Sequence, residues 1–189
     1  MGLDMYLYKA PKVDSIKELE KLEIRLSKAF YKEKLHTELV KVQKKLKLKN
    51  PINYTEDSFW LSSAKSEKDF LEINKEFHCP KIKLQSKVAY WRKFNALHNW
   101  FVQNIQNGED DCGSYIVDID KLKELLYKLA KINKKNAKKI LPTASGFFFG
   151  GTEYDEYYFE EIKNLCTTIM ALVESINPEE EMLIYRSSW

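Results

Sequence analysis

Residues 88–102, VAYWRKFNALHNWFV, decide how the middle of this chain is read. At 100° per residue Trp91, Asn95, His98 and Val102 stack along one line, with Val88, Phe94, Phe101 and Ile105 beside it. The spacing predicts a helix that Ser86 caps and that ends near Gln106, before the turn signal Asn107-Gly108. An imidazole and a carboxamide inside an apolar stripe need partners, because a buried, unpaired polar group costs roughly 1–3 kcal/mol. Either protein or ligand must therefore meet Asn95 and His98. Arg92 and Asn99 border the stripe, where the lip of a pocket belongs. The competing reading is a core helix whose two polar residues bond to neighbouring backbone.

Working outward, Leu3, Met5 and Leu7 alternate with Asp4, Tyr6 and Tyr8, which predicts a half-buried strand ended by Pro11. Asp14 or Ser15 caps a helical pattern that runs to about Leu48, as one helix or as two broken near Lys32. Residues 51–63 read as a loop carrying Phe59 and Trp60. A short helix over Glu67–Phe77 and a short strand over Ile82–Leu84 follow. Beyond the central helix, Tyr115–Val117 reads as a strand, and Asp118 or Asp120 opens a helix through Leu129. A lysine-rich connection, 131–139, leads to LPTASGFFFGG at 141–151. There Gly146 and Gly150-Gly151 bracket Phe147–Phe149, as expected of a short buried strand between tight turns. Thr152 with Asp155 resembles a capping box for a last helix over about 154–175, and Met182–Arg186 forms a terminal strand. Strands scattered among helices, with a strand at each end, predict one α+β domain over 1–189 with a mainly antiparallel sheet. Segment 12–80 is a helical elaboration within it.

Composition narrows the function classes. The net charge of +3 is too small to imply nucleic acid, and 13% aromatic residues argue for a heavy core or stacking surfaces. Charge is unevenly spread: residues 1–50 hold 13 Lys/Arg against 7 Asp/Glu, and residues 151–189 hold 2 against 9. That asymmetry favours head-to-tail or swapped self-association or, more simply, marks two solvated faces. Cys79, Cys112 and Cys166 are odd in number and far apart, which suits a reducing cytoplasm. MGLDMYLYKA lacks the pattern of a signal peptide, and no apolar run approaches the length of a membrane span. The expected setting is the cytoplasm.

Three constellations could carry chemistry. In the first, Trp91 stacks on a planar group, Arg92 pairs with phosphate, and Asn95, His98 and Asn99 fix polar edges. The second is NGEDDCG at 107–113, where Glu109, Asp110 and Asp111 suggest a cation site or, more simply, a solvated turn. Cys112 there has no visible base to activate it. The third joins Thr143, Ser145 and Gly146 to Tyr154, Asp155, Tyr157 and Tyr158. Its tyrosines offer hydroxyls and ring faces, and Asp155 can accept from a base amino group or a ribose hydroxyl. Glu153, Asp155 and Glu156 already complement the helix dipole and repel phosphate. The chain carries no P-loop, no dinucleotide-binding GxGxxG, no HExxH and no GxSxG. With only His36, His78 and His98, multi-histidine metal chemistry is nearly excluded. No cofactor is implied.

The pieces MGLDMYLYK at 1–9, YWRKFNALHNWFVQNIQNGEDDCGSY at 90–115, LPTASGFFFGGTEYDEYYFEEI at 141–162 and YRSSW at 185–189 have specific wording. Together they resemble a family of small bacteriophage and prophage proteins; segment 12–80 does not carry the resemblance. It implies a phage origin, and with it host takeover or the neutralising of host immunity, for instance by sequestering a nucleotide signal. The leading expectation is a protein that binds a small nucleotide-like ligand without turning it over. The alternatives are an inhibitor that binds a host protein, and a phosphodiesterase or nucleosidase with His98 as general acid or base and Asp110, Asp111 or Asp155 assisting. A homo-oligomer is compatible with all three.

Overall fold

A computed structural model describes residues 2–56, 64–77 and 80–189; the expectations for Phe59, Trp60, His78 and Cys79 lie outside the described residues. The elements run β1 (Asp4–Pro11), α1 (Ile16–Tyr31), α2 (Leu35–Lys45), β2 (Thr55–Glu56), α3 (Glu67–Phe77), β3 (Ile82–Lys83), β4 (Ser86–Arg92), α4 (Asn95–Asn104), β5 (Ser114–Val117), α5 (Ile119–Leu129), α6 (Ala137–Ile140), α7 (Glu156–Ser175) and β6 (Glu181–Ser188). The fold is α+β: among the described residues, seven helices accompany a four-stranded antiparallel sheet of order β4-β1-β6-β5 and a small β2-β3 pair. The two chain-end strands are neighbours in the centre of the larger sheet.

The chain divides into two compact units. The first comprises 1–9, 87–178 and 182–189, and holds the larger sheet with α4–α7. Its core gathers Leu3, Met5 and Leu7 of β1, Leu97 and Phe101 of α4, Leu122 and Leu125 of α5, Ile162 and Leu165 of α7, and Tyr185 of β6. The second comprises 10–86 and 179–181. There α1 packs on α2, α3 and β3 and buries Leu19, Leu22 and Leu26. Two buried polar side chains of α1 hold the adjoining strand: Ser27 Oγ accepts from the Ile82 amide (2.9 Å) and Glu23 Oε1 from the Leu84 amide (2.8 Å).

Several expectations hold. Ser15 caps α1 by accepting from the Glu18 amide, and the long helical pattern is two helices, with Glu33 in the left-handed region (φ 55°) between them. Asp118 caps α5.

Three do not. The helix expected from Ser86 is a strand as far as Arg92. In β4, Ala89 and Trp91 are buried while Tyr90 and Arg92 are exposed, a period of two that suits Val, Tyr and Trp better than a helix does. Tyr90 packs on Tyr6 of β1 at 5.4 Å between ring centroids and donates to the Asp4 carboxylate. Lys93, at φ 56°, then turns the chain into α4. Trp91 and Asn95 therefore share no helix.

Phe147–Phe149 form no strand. Their carbonyls are taken individually, Phe148 O by the Leu3 amide and Phe149 O by the Asn95 side chain, so no ladder forms, and Phe147 is 95% exposed. Finally, Asp155 caps α7 by itself, accepting from the Tyr158 amide, whereas the Thr152 amide bonds to Glu153.

Candidate functional site

His98 lies on the inward face of α4 and is 1% exposed. Its Nδ1 stands 2.7 Å from the Tyr185 hydroxyl and its Nε2 2.9 Å from Asp110 Oδ2. The Asp110 carboxylate accepts, so Nε2 carries the hydrogen between them, and in the neutral ring Nδ1 accepts from the Tyr185 hydroxyl, which burial pushes far above its usual range. Asp110 also accepts from Trp189 Nε1 at 3.1 Å, while the Phe149 edge meets the His98 ring and Phe101 stacks on Tyr185. Both ring nitrogens are thus used within the fold. The relay Tyr185–His98–Asp110–Trp189 fastens the acidic turn and the chain end to the core.

The rest of that turn is similarly occupied. Asp111 accepts from the Gly113 amide at 2.7 Å, which together with a bond from Tyr115 holds its carboxyl below the usual range. Cys112 sits in the left-handed region beside it (φ 57°). Among the described residues no group of three or more His, Cys, Asp or Glu side chains could hold a metal ion.

Asn95 opens α4 and organises the connection between α6 and α7. Its Nδ2 donates to Phe149 O (3.1 Å) and Gly151 O (2.6 Å), and its Oδ1 accepts from the Ala144 amide (3.1 Å). Asn99, one turn on, reaches Pro142 O at 3.5 Å. Tyr154 accepts from the Thr143 amide through its hydroxyl, and Thr143 Oγ1 donates to Thr152 O. The loop is therefore held at its base.

This loop walls a cleft of about 180 Å³ within the first unit. One side is the turn from Lys93 to Ala96, and another is Gly150-Gly151 with Glu153. The start of α7 contributes Asp155, Tyr157, Tyr158 and Glu161, and Thr143 also lines the cleft. Tyr158 is a fixed wall, since its hydroxyl donates to Leu141 O at 2.7 Å and burial raises it well above the usual phenol range. Tyr157 is 64% exposed, leaving its ring open for stacking. The Glu161 carboxyl beside it is raised by burial and by Glu160, and in turn raises the Tyr157 hydroxyl.

Three carboxylates, Glu153, Asp155 and Glu161, face one lining cation, Lys93. Gly150 makes that approach possible: at φ 89°, a Cβ there would stand 3.2 Å from both Lys93 Cβ and Lys93 O. Lys93 and Arg92 both pass Gly2, where a Cβ would lie 3.1 Å from Lys93 Cε and 3.6 Å from Arg92 Nη2. Arg92 also reaches Asp4 at 3.8 Å. Lys93 and the three carboxylates line the same cleft, and Arg92 precedes Lys93 without lining it.

Of the residues singled out in the sequence, Asn95, Thr143, Asp155, Tyr157 and Tyr158 line this cleft. Trp91, His98, Asn99 and Tyr154 serve core or loop packing, Arg92 lies beside Lys93, and Ser145 is exposed on the loop. Sequence reasoning missed Lys93, Gly150, Gly151, Glu153 and Glu161 as lining residues. Glu161 carried a signal, standing four residues after Tyr157 on the same helix face. Comparison of the chain with family models, with curated proteins and with solved structures gives no match.

Proposed function

We propose that this cleft binds a small nucleoside-like ligand and returns it unchanged, and that the protein acts by sequestering such a ligand. The observation that carries this reading is the composition of the lining. An open Tyr157 ring, the carboxylates of Glu153, Asp155 and Glu161, and Lys93 line one cleft, with Arg92 preceding Lys93 in the chain. A planar base would stack on Tyr157, as aromatic platforms do for about 1–3 kcal/mol per base. Its amino group or ribose hydroxyls would donate to Asp155 or Glu161. A phosphate, repelled by those acids, would lie toward Lys93 and Arg92. The volume suits a base or nucleoside, so any phosphates extend outward.

The place of His98 supports the non-catalytic part of the reading. Its two nitrogens are engaged by Tyr185 and Asp110, and it does not line the cleft, so it is not placed as general acid or base for a ligand there. The phage resemblance suggests the biological setting, in which the ligand would be a nucleotide immune signal of the host.

Tyr157→Ala and Glu161→Gln test the site. Both positions lie at the start of α7, outside its cap, so each variant should keep the wild-type melting temperature within about 1 °C while weakening nucleotide affinity at least tenfold by calorimetry. Affinity unchanged in both variants would remove the cleft from the account.

A further inference from the structure

Two segments of the first unit carry opposite charge without mixture. Residues 128–139 hold six lysines and no acid, and residues 153–161 hold five acids and no base. Lys128, Lys131, Lys134, Lys135, Lys138 and Lys139 are all exposed, and none forms an ion pair with a described residue. Their loop is held in one shape: Asn136 Oδ1 accepts from the Asn133 amide (2.7 Å), Asn133 Oδ1 from the Lys135 amide (2.9 Å), and Asn136 Nδ2 donates to Lys131 O (2.9 Å). The segments adjoin, because Tyr158 in the first turn of α7 donates to Leu141 O, directly after α6.

Two strongly exposed aromatic rings outside the cleft belong to the same stretch: Tyr127 at 66%, with the Lys131 ammonium 3.6 Å from its ring centroid, and Phe147 at 95%. Phe147 projects from a connection that Asn95 and the Leu3 amide hold in place, so its display costs little further ordering on contact. Exposed, fixed aromatic side chains are the material of interface cores, and charges form the rim.

We propose that this surface is the interface with a second copy of this chain, paired about a two-fold axis so that each lysine segment meets the other copy's acidic segment. Adjacent patches of opposite sign are self-complementary, which is what a two-fold interface requires. A polyanion or an anionic membrane would be repelled by the acids beside the lysines. A basic partner would be repelled by the lysines beside the acids. A second copy presents both signs in the matching arrangement.

Analytical ultracentrifugation over protein and salt concentration tests this. The expected species at low salt has twice the 22.4 kDa chain mass, with dissociation at least about tenfold easier near 0.5 M salt. Lys134→Glu/Lys135→Glu and Glu156→Lys/Glu160→Lys should each be monomeric alone, and mixed they should form a one-to-one heterodimer. Phe147→Ser, at a side chain with little to lose in folding, should also weaken the dimer; circular dichroism verifies that all variants are folded. A wild-type chain that stays monomeric up to millimolar concentration at low salt would overturn the proposal. So would a dimer that both charge reversals leave intact.

Discussion

Asn95 uses both amide hydrogens and its carbonyl oxygen on the backbone of one loop, at Phe149, Gly151 and Ala144. Truncation to alanine leaves those groups unpaired, and with roughly 1 kcal/mol or more at stake for each we expect a loss of about 2–4 kcal/mol in urea unfolding. A loss below about 1 kcal/mol would mean that water replaces the side chain. That Asn95 and His98 needed partners was legible in the sequence, because polar groups within an apolar stripe must be paired. Which partners they take was not. Tyr185 lies 87 residues from His98, and the carbonyls Asn95 holds lie more than 50 residues away. Glu23 is the corresponding residue of the second unit, and nothing in the sequence marked it. Burial raises its carboxyl above the usual range, opposed by Lys83 and the Leu84 amide. A raised folded-state value means that the linked stability is fully present below the ordinary glutamate range and is lost as pH climbs through the raised value. Stability should therefore fall from acid toward neutral pH more steeply in the wild type than in Glu23→Gln; parallel pH profiles of the melting temperature would contradict this.

At the scale of elements, helices with clean amphipathic spacing and a cap residue were readable, as α1 with Ser15 and α5 with Asp118 illustrate. The stretch from Ser86 to about Gln106 carries the spacing of one helix because a strand and a helix abut there with apolar residues in both. The three-residue alternation of Ala89, Tyr90 and Trp91 was outweighed by the longer 3.6-residue pattern behind it. The junction depends on Lys93 at positive φ, a conformation no spacing announces. Gly150 faces it. Gly150→Ala would place a Cβ 3.2 Å from Lys93 in a left-handed backbone, so we expect a destabilisation of about 1–3 kcal/mol and a weaker-binding cleft. Unchanged stability and affinity in that variant would show that loop and turn part without consequence. The loop itself was misread for a related reason: its three phenylalanines suggested burial, yet only Phe149 turns inward, against His98 and Trp189.

For the whole molecule, the α+β class was legible because strand-like and helix-like periods alternate along the chain and a strand lies at each end. That the end strands are central neighbours in one sheet was not, since pairing over 170 residues leaves no local trace. No helix among the described residues is long and apolar enough to cross a membrane. The three sequence constellations converge only in part: Thr143, Asp155, Tyr157 and Tyr158 of the third share a cleft with Asn95 of the first, while Asp110 of the acidic turn and His98 form a packing relay. The central claim is that the cleft holds a nucleoside-like ligand without converting it. Its most direct test is to incubate the protein with linear, cyclic and ADP-ribose-derived nucleotides, measure each free compound by chromatography, and repeat the measurement after denaturation. The account predicts that at least one compound leaves the free pool with wild-type protein, remains free with Tyr157→Ala, and returns intact when the wild type is denatured. Recovery of a product, or a panel that stays wholly free and unchanged, would contradict it.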